Sequence, residues 1–350
     1  MARIVYLTHM LKGSIDWKAI ARITRYALTS VEPGYSSLRS VLGIRRYIPI
    51  KYMVFDSGGF AAFTKGLNIN VEKTILLYRA VKYNPFTDYL IELDNIPLYS
   101  DSRRTRFSKI RKNLENYIVM RNELGDNVLY VIHGWSIEEV SLAIQQHLGL
   151  DNKVAVGSYY VASVLNKAPK SIIFKRFNNV MRNTLKADYK WILVLGGSGP
   201  NMIHLSFYLG ASAVDGVAWR NAARRKEIIV PGVGVRALNN SKRKKLTNED
   251  LMVLKSWWSH YLNPFKDIRI NEFLSLALKD FKALALFNAF AIKVEEQIAN
   301  EYSNDPYRYY MYLQKRWSNN SFWRNILKIA KSDYIQSKLT IYLRSSVELN

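Results

Sequence analysis

The feature that most constrains the fold is a regular alternation of short apolar runs with longer amphipathic stretches. The runs are rich in β-branched and aromatic residues, as expected of strands buried on both faces. Eight of them are present: Ile4–Leu7, Tyr52–Phe55, Tyr89–Leu93, Val128–Ile132, Val154–Val156, Trp191–Leu195, Ala213–Val217 and Ile228–Val230. Each run is followed by a break and then by a different periodicity, so the chain predicts strands joined by helices.

The amphipathic stretches between the runs predict helices, four of which are Val71–Tyr83, Phe107–Leu124, Ile137–Leu148 and Met202–Leu209. Asn70 and Ser136 are the predicted N-caps of the first and third. Strands that alternate with helices are parallel and joined by helical crossovers. Eight such units over about 300 residues predict an α/β fold, a TIM-type (β/α)8 barrel. A doubly wound open sheet is the alternative.

Beyond Val235 the pattern becomes helical, with predicted helices at Asn248–Tyr261, Asn271–Ala299 and Pro306–Leu343. The predicted organisation is a barrel domain over residues 1–300. A C-terminal helical extension, basic and aromatic, follows over residues 301–350.

The net charge of the chain indicates which class of molecule it binds. The chain has 51 Lys and Arg against 28 Asp and Glu, a formal net charge of +23. Such an excess favours a polyanionic partner, because basic side chains that neutralise phosphates release condensed counterions. Nucleic acid is the first interpretation; an anionic membrane surface and a generally basic proteome are the alternatives.

The absence of cysteine excludes disulfides and thiolate zinc sites. The first residues contain no long apolar segment of a secretory signal, and no apolar stretch is long enough to span a bilayer. The sequence therefore predicts a cytoplasmic protein with no membrane partner.

Polar residues and glycines follow the predicted strands where each one ends. They are Asp56-Ser57-Gly58-Gly59, Asp94-Asn95, His133-Gly134, Gly157, Gly196-Gly197 and, inside the next run, Asp215-Gly216. In a barrel the carboxyl ends of the strands form the catalytic face. Turn chemistry alone explains any one of these positions, but their repetition at successive strand ends predicts a functional site.

Two carboxylates at such a face suit retaining glycosyl transfer. One attacks the anomeric carbon and forms a covalent intermediate, and the other moves the proton of the leaving and entering groups. Asp56, Asp94 and Asp215 are the candidates. Glu92, two residues before Asp94, is an outside candidate because it points the same way along a strand.

Other signals are weaker. The Gly196–Gly199 loop lacks the Lys-Ser/Thr of a P-loop, and Pro231–Gly234 is either a phosphate nest or an ordinary turn. His9, His147 and His204 have no partners at metal-ligand spacing, so no metal or cofactor is predicted.

The segment Phe55-Asp56-Ser57-Gly58-Gly59-Phe60 resembles the Asp-Ser-Gly-Gly-Phe signature of the tRNA-guanine transglycosylase superfamily. The resemblance extends over roughly residues 52–298, because the later polar loops follow in the family's order. It implies that Asp215 is the nucleophile on C1′ and that Asp56 is the general acid/base. It also implies a base-binding set of residues, which contact the exchanged base after it has flipped out of the nucleic-acid helix. That set is Asp94, His133, Gly157 through its N–H, Ser57, Gly134 and Gly196, with Phe60 or Tyr159 stacking on the base.

Three departures from the family pattern modify this expectation. His133 stands where the family usually has Gln. The chain lacks the family's cysteine-ligated zinc, and Phe287-Asn288 stands where a His-Asn pair is expected. Apolar packing by Trp257, Trp258 and Phe265 is expected in its place. No room remains for appended RNA-binding domains.

The segment that begins Trp219-Arg220-Asn221 is more similar to the DNA-acting branch, which inserts 7-deazaguanines. The resemblance therefore favours exchange of guanine in DNA for a base such as preQ0. The same exchange on tRNA and a non-catalytic nucleic-acid-binding barrel are the alternatives. A barrel aldolase or isomerase would require a lysine at a strand end, and none is found. Since family members often pair through the barrel surface, a homodimer is also compatible with the resemblance.

Basic residues in three predicted loops are the expected contacts to the nucleic-acid backbone: Arg103 and Arg104, then Arg220, Arg224 and Arg225, then Lys242, Arg243 and Lys244. A fourth group, Lys315, Arg316, Arg324, Lys328 and Lys331, is either a further contact or a solvated face. The aromatic residues beside it are expected to be core: Tyr307, Tyr309, Tyr310, Trp317 and Trp323.

Overall fold

A computed structural model describes residues 2–11, 13–31, 37–59, 66, 68–157, 168–239 and 243–331. Eight parallel strands close into a barrel in chain order, and the last strand pairs with the first. The strands are Ile4–Thr8 (β1), Tyr26–Ser30 (β2), Tyr52–Asp56 (β3), Tyr89–Ile91 (β4), Val128–Ile132 (β5), Lys153–Val156 (β6), Trp191–Val194 (β7) and Ala213–Gly216 (β8). The predicted (β/α)8 barrel is confirmed, and the open sheet is excluded.

One strand of the barrel was assigned wrongly from the sequence. Seven of the eight apolar runs are barrel strands, but Ile228–Val230 lies in strand Glu227–Val230 (β9), which pairs antiparallel with Gly234–Ala237 (β10) outside the barrel. The missing barrel strand is β2, whose sequence Tyr-Ala-Leu-Thr-Ser is too polar to stand out as an apolar run. Thr29 of this strand is fully buried although it is polar, and only the tertiary structure shows that burial.

The helices follow the strands as predicted. They are Trp17–Ala21 (α1), Leu38–Val41 (α2), Val71–Val81 (α3), Arg103–Leu124 (α4), Ile137–His147 (α5), Lys170–Lys186 (α6), Pro200–Tyr208 (α7), Ala218–Arg224 (α8), Asn248–Trp258 (α9), Ile270–Lys279 (α10), Phe281–Tyr302 (α11) and Pro306–Arg316 (α12). A 3₁₀ helix spans Ile44–Tyr47, and residues 321–331 are helical as well. The Asn70 and Ser136 side chains accept from the N–H groups of Lys73 and Glu139, which confirms both predicted N-caps.

Two long predicted helices are interrupted. The stretch Asn271–Ala299 is divided at Asp280, whose side chain accepts from the N–H of Lys282 and so begins a new helix. The stretch that starts at Pro306 ends its first helix at Arg316, and the part of it beyond residue 331 lies outside the described residues. Apolar periodicity continues through both breaks, which explains why the sequence did not reveal them.

The barrel interior is filled by alternate residues of the strands. Tyr6, Leu28, Val54, Leu129 and Ala213 belong to this inner cluster, which is separate from the core between strands and helices. Aromatic side chains fill the amino-terminal end of the barrel, where Tyr26 stacks on Tyr52 and Tyr89 stacks on Trp191.

The period of two then places the next inward residues at the opposite end. These are Thr8, Ser30, Asp56, His133 and Asp215. The carboxyl-terminal mouth of the barrel is therefore lined by polar side chains, whereas its other end is lined by aromatic ones.

The C-terminal helices pack on the barrel. Helix α11 contacts α8, β9, α7 and β1. Its Asn288 is fully buried; it accepts from the N–H of Ile229 at 2.8 Å and donates to the carbonyl oxygen of Glu227 at 2.9 Å. Tyr309 and Trp317 of the C-terminal segment are buried core residues, as expected, but Tyr307 is exposed.

Aromatic rings pack in the region where members of the family that the chain resembles usually bind zinc. Phe287 lies between Trp258 (5.7 Å between ring centroids) and Phe273 (4.8 Å), and Phe265 contacts the other side of Phe273. This is the apolar packing that was expected of Trp258 and Phe265. Within the described ranges, no group of three histidine, aspartate or glutamate side chains is arranged to hold a metal ion.

None of the helices among the described residues is long and apolar enough to cross a membrane.

Candidate functional site

Asp215 lies at the carboxyl end of β8 and is almost fully buried. Both of its carboxylate oxygens accept hydrogen bonds: Oδ2 from the Thr8 hydroxyl at 2.6 Å and Oδ1 from the Gly196 N–H at 2.7 Å. Thr8 ends β1 and Gly196 follows β7, so the two strands that flank β8 hold its carboxylate in place. A side chain held on both oxygens is fixed in direction, as a nucleophile in a rigid scaffold requires.

Burial raises the pKa of Asp215 to about 6, against the lowering effects of the Thr8 and Gly196 hydrogen bonds. The carboxylate is therefore ionised at neutral pH but close to its titration point. Perturbed carboxyl groups of this kind occur preferentially at functional sites.

Asp56 ends β3 and is partly exposed at the same mouth. Its strand is fixed from behind by Tyr78 of α3, whose hydroxyl lies 2.9 Å from the Phe55 carbonyl oxygen and 2.6 Å from that of Ile91. It can donate to only one of them at a time. Since β8, β1, β2 and β3 are consecutive around the barrel, Asp56 and Asp215 face the same lumen from different sides.

Asp94 and His133 form a pair beside this lumen. The Nε2 atom of His133 lies 2.7 Å from Oδ2 of Asp94, and the histidine is 1% exposed. Asp94 follows β4 and His133 follows β5, which is the neighbouring strand. The sequence placed both residues in the base-binding set but gave no sign that they bond to each other.

Two glycines leave the space in which this pair fits. A Cβ atom on Gly157 would lie 2.0 Å from Cε1 of His133, and a Cβ atom on Gly59 would lie 2.6 Å from Oδ1 of Asp94. Both distances are far below van der Waals contact. The two positions are thus glycine because the imidazole and the carboxylate occupy the space of a side chain.

We expect Gly157→Ala to displace His133 from Asp94, since the methyl group and the ring cannot occupy the same volume. Overpacking of this kind costs about 1–3 kcal/mol, which urea unfolding would measure. Gly199→Ala is the matched control, because a Cβ there meets no atom within 4 Å and its φ of −66° suits alanine. Equal unfolding free energies for the two variants would contradict this account of Gly157.

Four other members of the predicted base-binding set have structural partners. The N–H of Gly157, expected to bind a base carbonyl, instead donates to the carbonyl oxygen of Ile132 at 3.0 Å. Ser57 is fully buried and its hydroxyl donates to the carbonyl oxygen of Glu92 at 2.8 Å. The Gly134 carbonyl oxygen accepts from Nε of Arg176 at 2.7 Å. The Gly196 N–H donates to Oδ1 of Asp215, as described above. These four residues are thus used in contacts within the protein, whereas Nδ1 of His133 has no hydrogen-bond partner among the described residues.

Glu92 was the least favoured of the carboxylate candidates. Its carboxylate is not exposed at the mouth of the barrel. It is fully buried and accepts from the N–H of Val131 at 2.7 Å. Burial raises its pKa well above the ordinary value. The preceding residue, Ile91, belongs to the inner cluster of the barrel, so Glu92 points outward, between the strands and the helices.

Arg220 is a buried cation in α8, the helix that follows β8. It is 6% exposed, and it has neither an ion-pair nor a hydrogen-bond partner among the described residues. Its guanidinium lies 5.9 Å from the ring centroid of Trp219, whose Nε1 donates to the Thr8 carbonyl oxygen at 3.2 Å. Burial, followed by the charge of Arg224, lowers the pKa of Arg220, but a guanidinium stays charged in proteins. An unpaired cation beside the mouth suits an anionic ligand.

Thr8 was missed in the sequence. The signal that was available is its position: it directly follows the first apolar run, as the other strand-end residues follow theirs. A hydroxyl at the end of a strand does not indicate a functional contact until the neighbouring strand, here β8, is known.

The other predicted contacts to nucleic acid are dispersed. Arg103 and Arg104 are exposed at the start of α4, on the mouth side of the barrel. Arg224 ends α8, about 10 Å along the helix from the mouth. Arg225 and Arg243 both pair with the buried carboxylate of Glu227, and Lys244 is exposed. Phe60, Tyr159 and Lys242 lie outside the described residues.

In comparisons with known proteins, no family model matches the chain, and no curated protein sequence is significantly similar to it.

Proposed function

We propose that the chain is a transglycosylase that exchanges guanine in DNA for a 7-deazaguanine base through a covalent aspartyl-sugar intermediate. The observation that carries the proposal is Asp215: a buried carboxylate held on both oxygens, at the mouth of a barrel that Asp56 also faces. Two carboxylates in one lumen provide the nucleophile and the acid/base that retaining glycosyl transfer requires.

In this mechanism Asp215 attacks C1′ of the target nucleotide and the bond from C1′ to guanine breaks. Asp56 gives a proton to the departing base. The incoming base then attacks C1′ after losing a proton to Asp56, and the bond from C1′ to Asp215 breaks. The charge of Arg220 would stabilise a phosphate next to the flipped nucleotide, and the formal net charge of +23 favours a polyanion as substrate.

The pH dependence of exchange follows from the pKa of Asp215, which is about 6. The nucleophile must be ionised, so we expect kcat/KM to fall as the pH drops below about 6. The Thr8 hydrogen bond favours the carboxylate, so Thr8→Val should move this acidic limb to higher pH by about one unit. The measurement is the pH profile of exchange for both proteins.

Thr29→Val is the matched control for this prediction, because Thr29 lies in the neighbouring strand β2 and its buried hydroxyl has no hydrogen-bond partner among the described residues. We expect its profile to superimpose on that of the wild type. If the limb stays in place in Thr8→Val, Asp215 is not the group that titrates.

The test of the function is incorporation of radiolabelled guanine into duplex DNA and into bulk tRNA by the full chain, with a heat-denatured sample as the blank. Label that DNase removes supports the proposal. Label that only RNase removes assigns the same chemistry to tRNA. If neither polymer takes up label and binding is merely salt-sensitive, the protein is a nucleic-acid-binding barrel without this activity.

A further inference from the structure

The last described part of the chain is strongly basic. Between residues 306 and 331 the sequence contains no aspartate or glutamate. The helix over residues 321–331 is buried along one face and exposed along the other. Its buried face consists of Ile326, Leu327 and Ala330. Its exposed face carries Arg324, Lys328 and Lys331, which are neighbours because residues three and four apart lie on the same side of a helix.

Helix α6 adds positive charge beside this face. Between residues 168 and 187 the sequence again contains no aspartate or glutamate. The two helices are in contact, because the ring centroids of Phe174 in α6 and of Trp323 are 5.2 Å apart. Lys175 and Arg324 are the next residues of the two helices, and both are exposed. The two basic segments therefore adjoin.

This contact lies at the carboxyl-terminal end of the barrel. Each helix of the barrel begins where the preceding strand ends, so the first turns of α6 and α7 are at the mouth. Phe174 is in the second turn of α6. Nε1 of Trp317 donates to Oδ1 of Asn201, the second residue of α7, at 3.0 Å. The C-terminal segment thus follows the rim of the mouth, beside the loop whose Gly196 N–H holds Asp215.

We call the exposed basic residues of the two helices the C-terminal basic surface: Lys170, Lys175, Arg324, Lys328 and Lys331. None of the five forms an ion pair within the described part of the chain. By contrast, the exposed Lys190 pairs with Asp188 at 2.6 Å. Like charges that are not neutralised repel each other, and a bound polyanion relieves that repulsion. Arg316 does not belong to this surface, because it is buried against Glu295.

We propose, on the premise of the proposed function, that the C-terminal basic surface binds the phosphate backbone of duplex DNA beside the flipped nucleotide. From Arg324 to Lys331 the exposed face is about 10 Å long, because a helix rises 1.5 Å per residue. Three nucleotides of one strand rise by about the same distance. Lysine and arginine contacts to phosphates position a duplex without reading its sequence.

Two features of this surface favour DNA over an anionic membrane. The apolar face of the 321–331 helix is packed on the protein, so it is not available to enter a lipid layer. The surface is also continuous with the rim of the mouth, where the target nucleotide has to enter. Since Trp317 and Arg316 already hold the segment in place, binding does not have to order it.

The test is the affinity of the full chain for a fluorescein-labelled DNA duplex, measured by anisotropy over a series of salt concentrations with no free base present. In the double variant Arg324→Gln/Lys328→Gln we expect roughly 10-fold weaker binding at low salt. The slope of log K against log salt should become shallower by about 2, because two phosphate contacts are lost. Arg324→Lys keeps the charge and should retain the slope of the wild type.

The matched control is the double variant Lys51→Gln/Lys186→Gln. It removes the same number of positive charges, and both residues are exposed. Lys51 precedes β3 and Lys186 ends α6, so both lie at the opposite end of the barrel. Its affinity should stay within about 2-fold of the wild type. Equal losses in the two double variants would show an effect of net charge alone and would overturn the inference.

The binding measurement does not depend on base exchange, so the inference and the function can fail separately. A wild type that exchanges guanine, with no change of salt slope in Arg324→Gln/Lys328→Gln, overturns the docking surface alone. A wild type that shows the expected slopes but transfers no base overturns the reaction and leaves the surface in place. If the variant loses affinity for tRNA and not for duplex DNA, the surface binds RNA and the inference for DNA is wrong. Failure of the wild type to bind duplex DNA overturns it as well.

Discussion

Replacement of Asp215 by Asn should abolish base exchange, with a loss of about 10⁴-fold or more in kcat. The substitution keeps the size of the side chain, and the amide can still accept the hydrogen bond of Thr8 or of Gly196. It has no nucleophilic carboxylate, so no covalent bond to C1′ can form. The loss should appear in kcat, while binding of DNA stays within a few-fold of the wild type because the phosphate contacts are intact.

Two measurements check this expectation. The first is incorporation of labelled guanine. The second is a protein–DNA adduct that survives denaturing electrophoresis, which the wild type should accumulate when no incoming base is supplied and which Asp215→Asn should lack.

The matched control for this substitution is Asp188→Asn, an exposed carboxylate whose contact with Lys190 lies at the surface. It should exchange guanine at the rate of the wild type. An Asp215→Asn protein that retains exchange, or that still forms the adduct, would require a different nucleophile.

Replacement of Arg316 by Met should cause the largest loss of stability. Arg316 binds both oxygens of Glu295, at 2.9 Å each, and Nε2 of His204 lies 2.9 Å from the same carboxylate. The Arg316 and Glu295 side chains are almost completely buried. Burial alone would raise the pKa of Glu295, but Arg316 and His204 outweigh it and lower the pKa to about 2. The carboxylate is therefore charged in the folded protein at neutral pH.

Without Arg316 this charge would be buried and uncompensated, which costs about 3–5 kcal/mol. Urea unfolding at neutral pH would measure the loss. Lys315→Met is the matched control: the neighbouring residue is exposed, and its change should stay within about 0.5 kcal/mol of the wild type. Glu295→Gln in the Arg316→Met background should recover part of the loss, because it removes the unpaired charge.

This cluster also indicates how the C-terminal helices are joined to the barrel. Glu295 lies in α11, Arg316 ends α12 and His204 lies in α7, which follows the Gly196 loop. If Arg316→Met is as stable as Lys315→Met, the ion pair does not hold these helices together and aromatic packing must do so.

Much of the fold could be predicted, because it depends on local patterns. The strand Val128–Ile132 is buried on both faces, and it therefore consists of apolar residues only. Such a run can be recognised as a strand from the sequence alone. Caps such as Asn70 and Ser136 use atoms only three residues away. Strand β2 was missed because it is partly polar, and the apolar run in β9 was wrongly taken for a barrel strand. Only the pairing of neighbouring strands shows which of the two belongs to the barrel.

The sequence indicated which polar residues follow the strands, but it did not indicate their contacts. Asp56, Asp94, His133 and Asp215 were identified from the strand ends and from one resemblance. Their partners lie far away in the chain: Thr8 binds Asp215 across 207 positions, and Asp94 binds His133 across 39. No periodicity within the sequence carries such information.

The sequence by itself determined that this protein is a parallel barrel with carboxylates at the carboxyl ends of its strands. Strands that are buried on both faces are apolar along their whole length, so the order of residues alone reveals them. Only the tertiary structure decided that Asp215 is buried, that Asp94 contacts His133 and that Arg220 has no partner among the described residues. These properties depend on desolvation and on distances across the closed barrel, and both arise only when β8 pairs with β1.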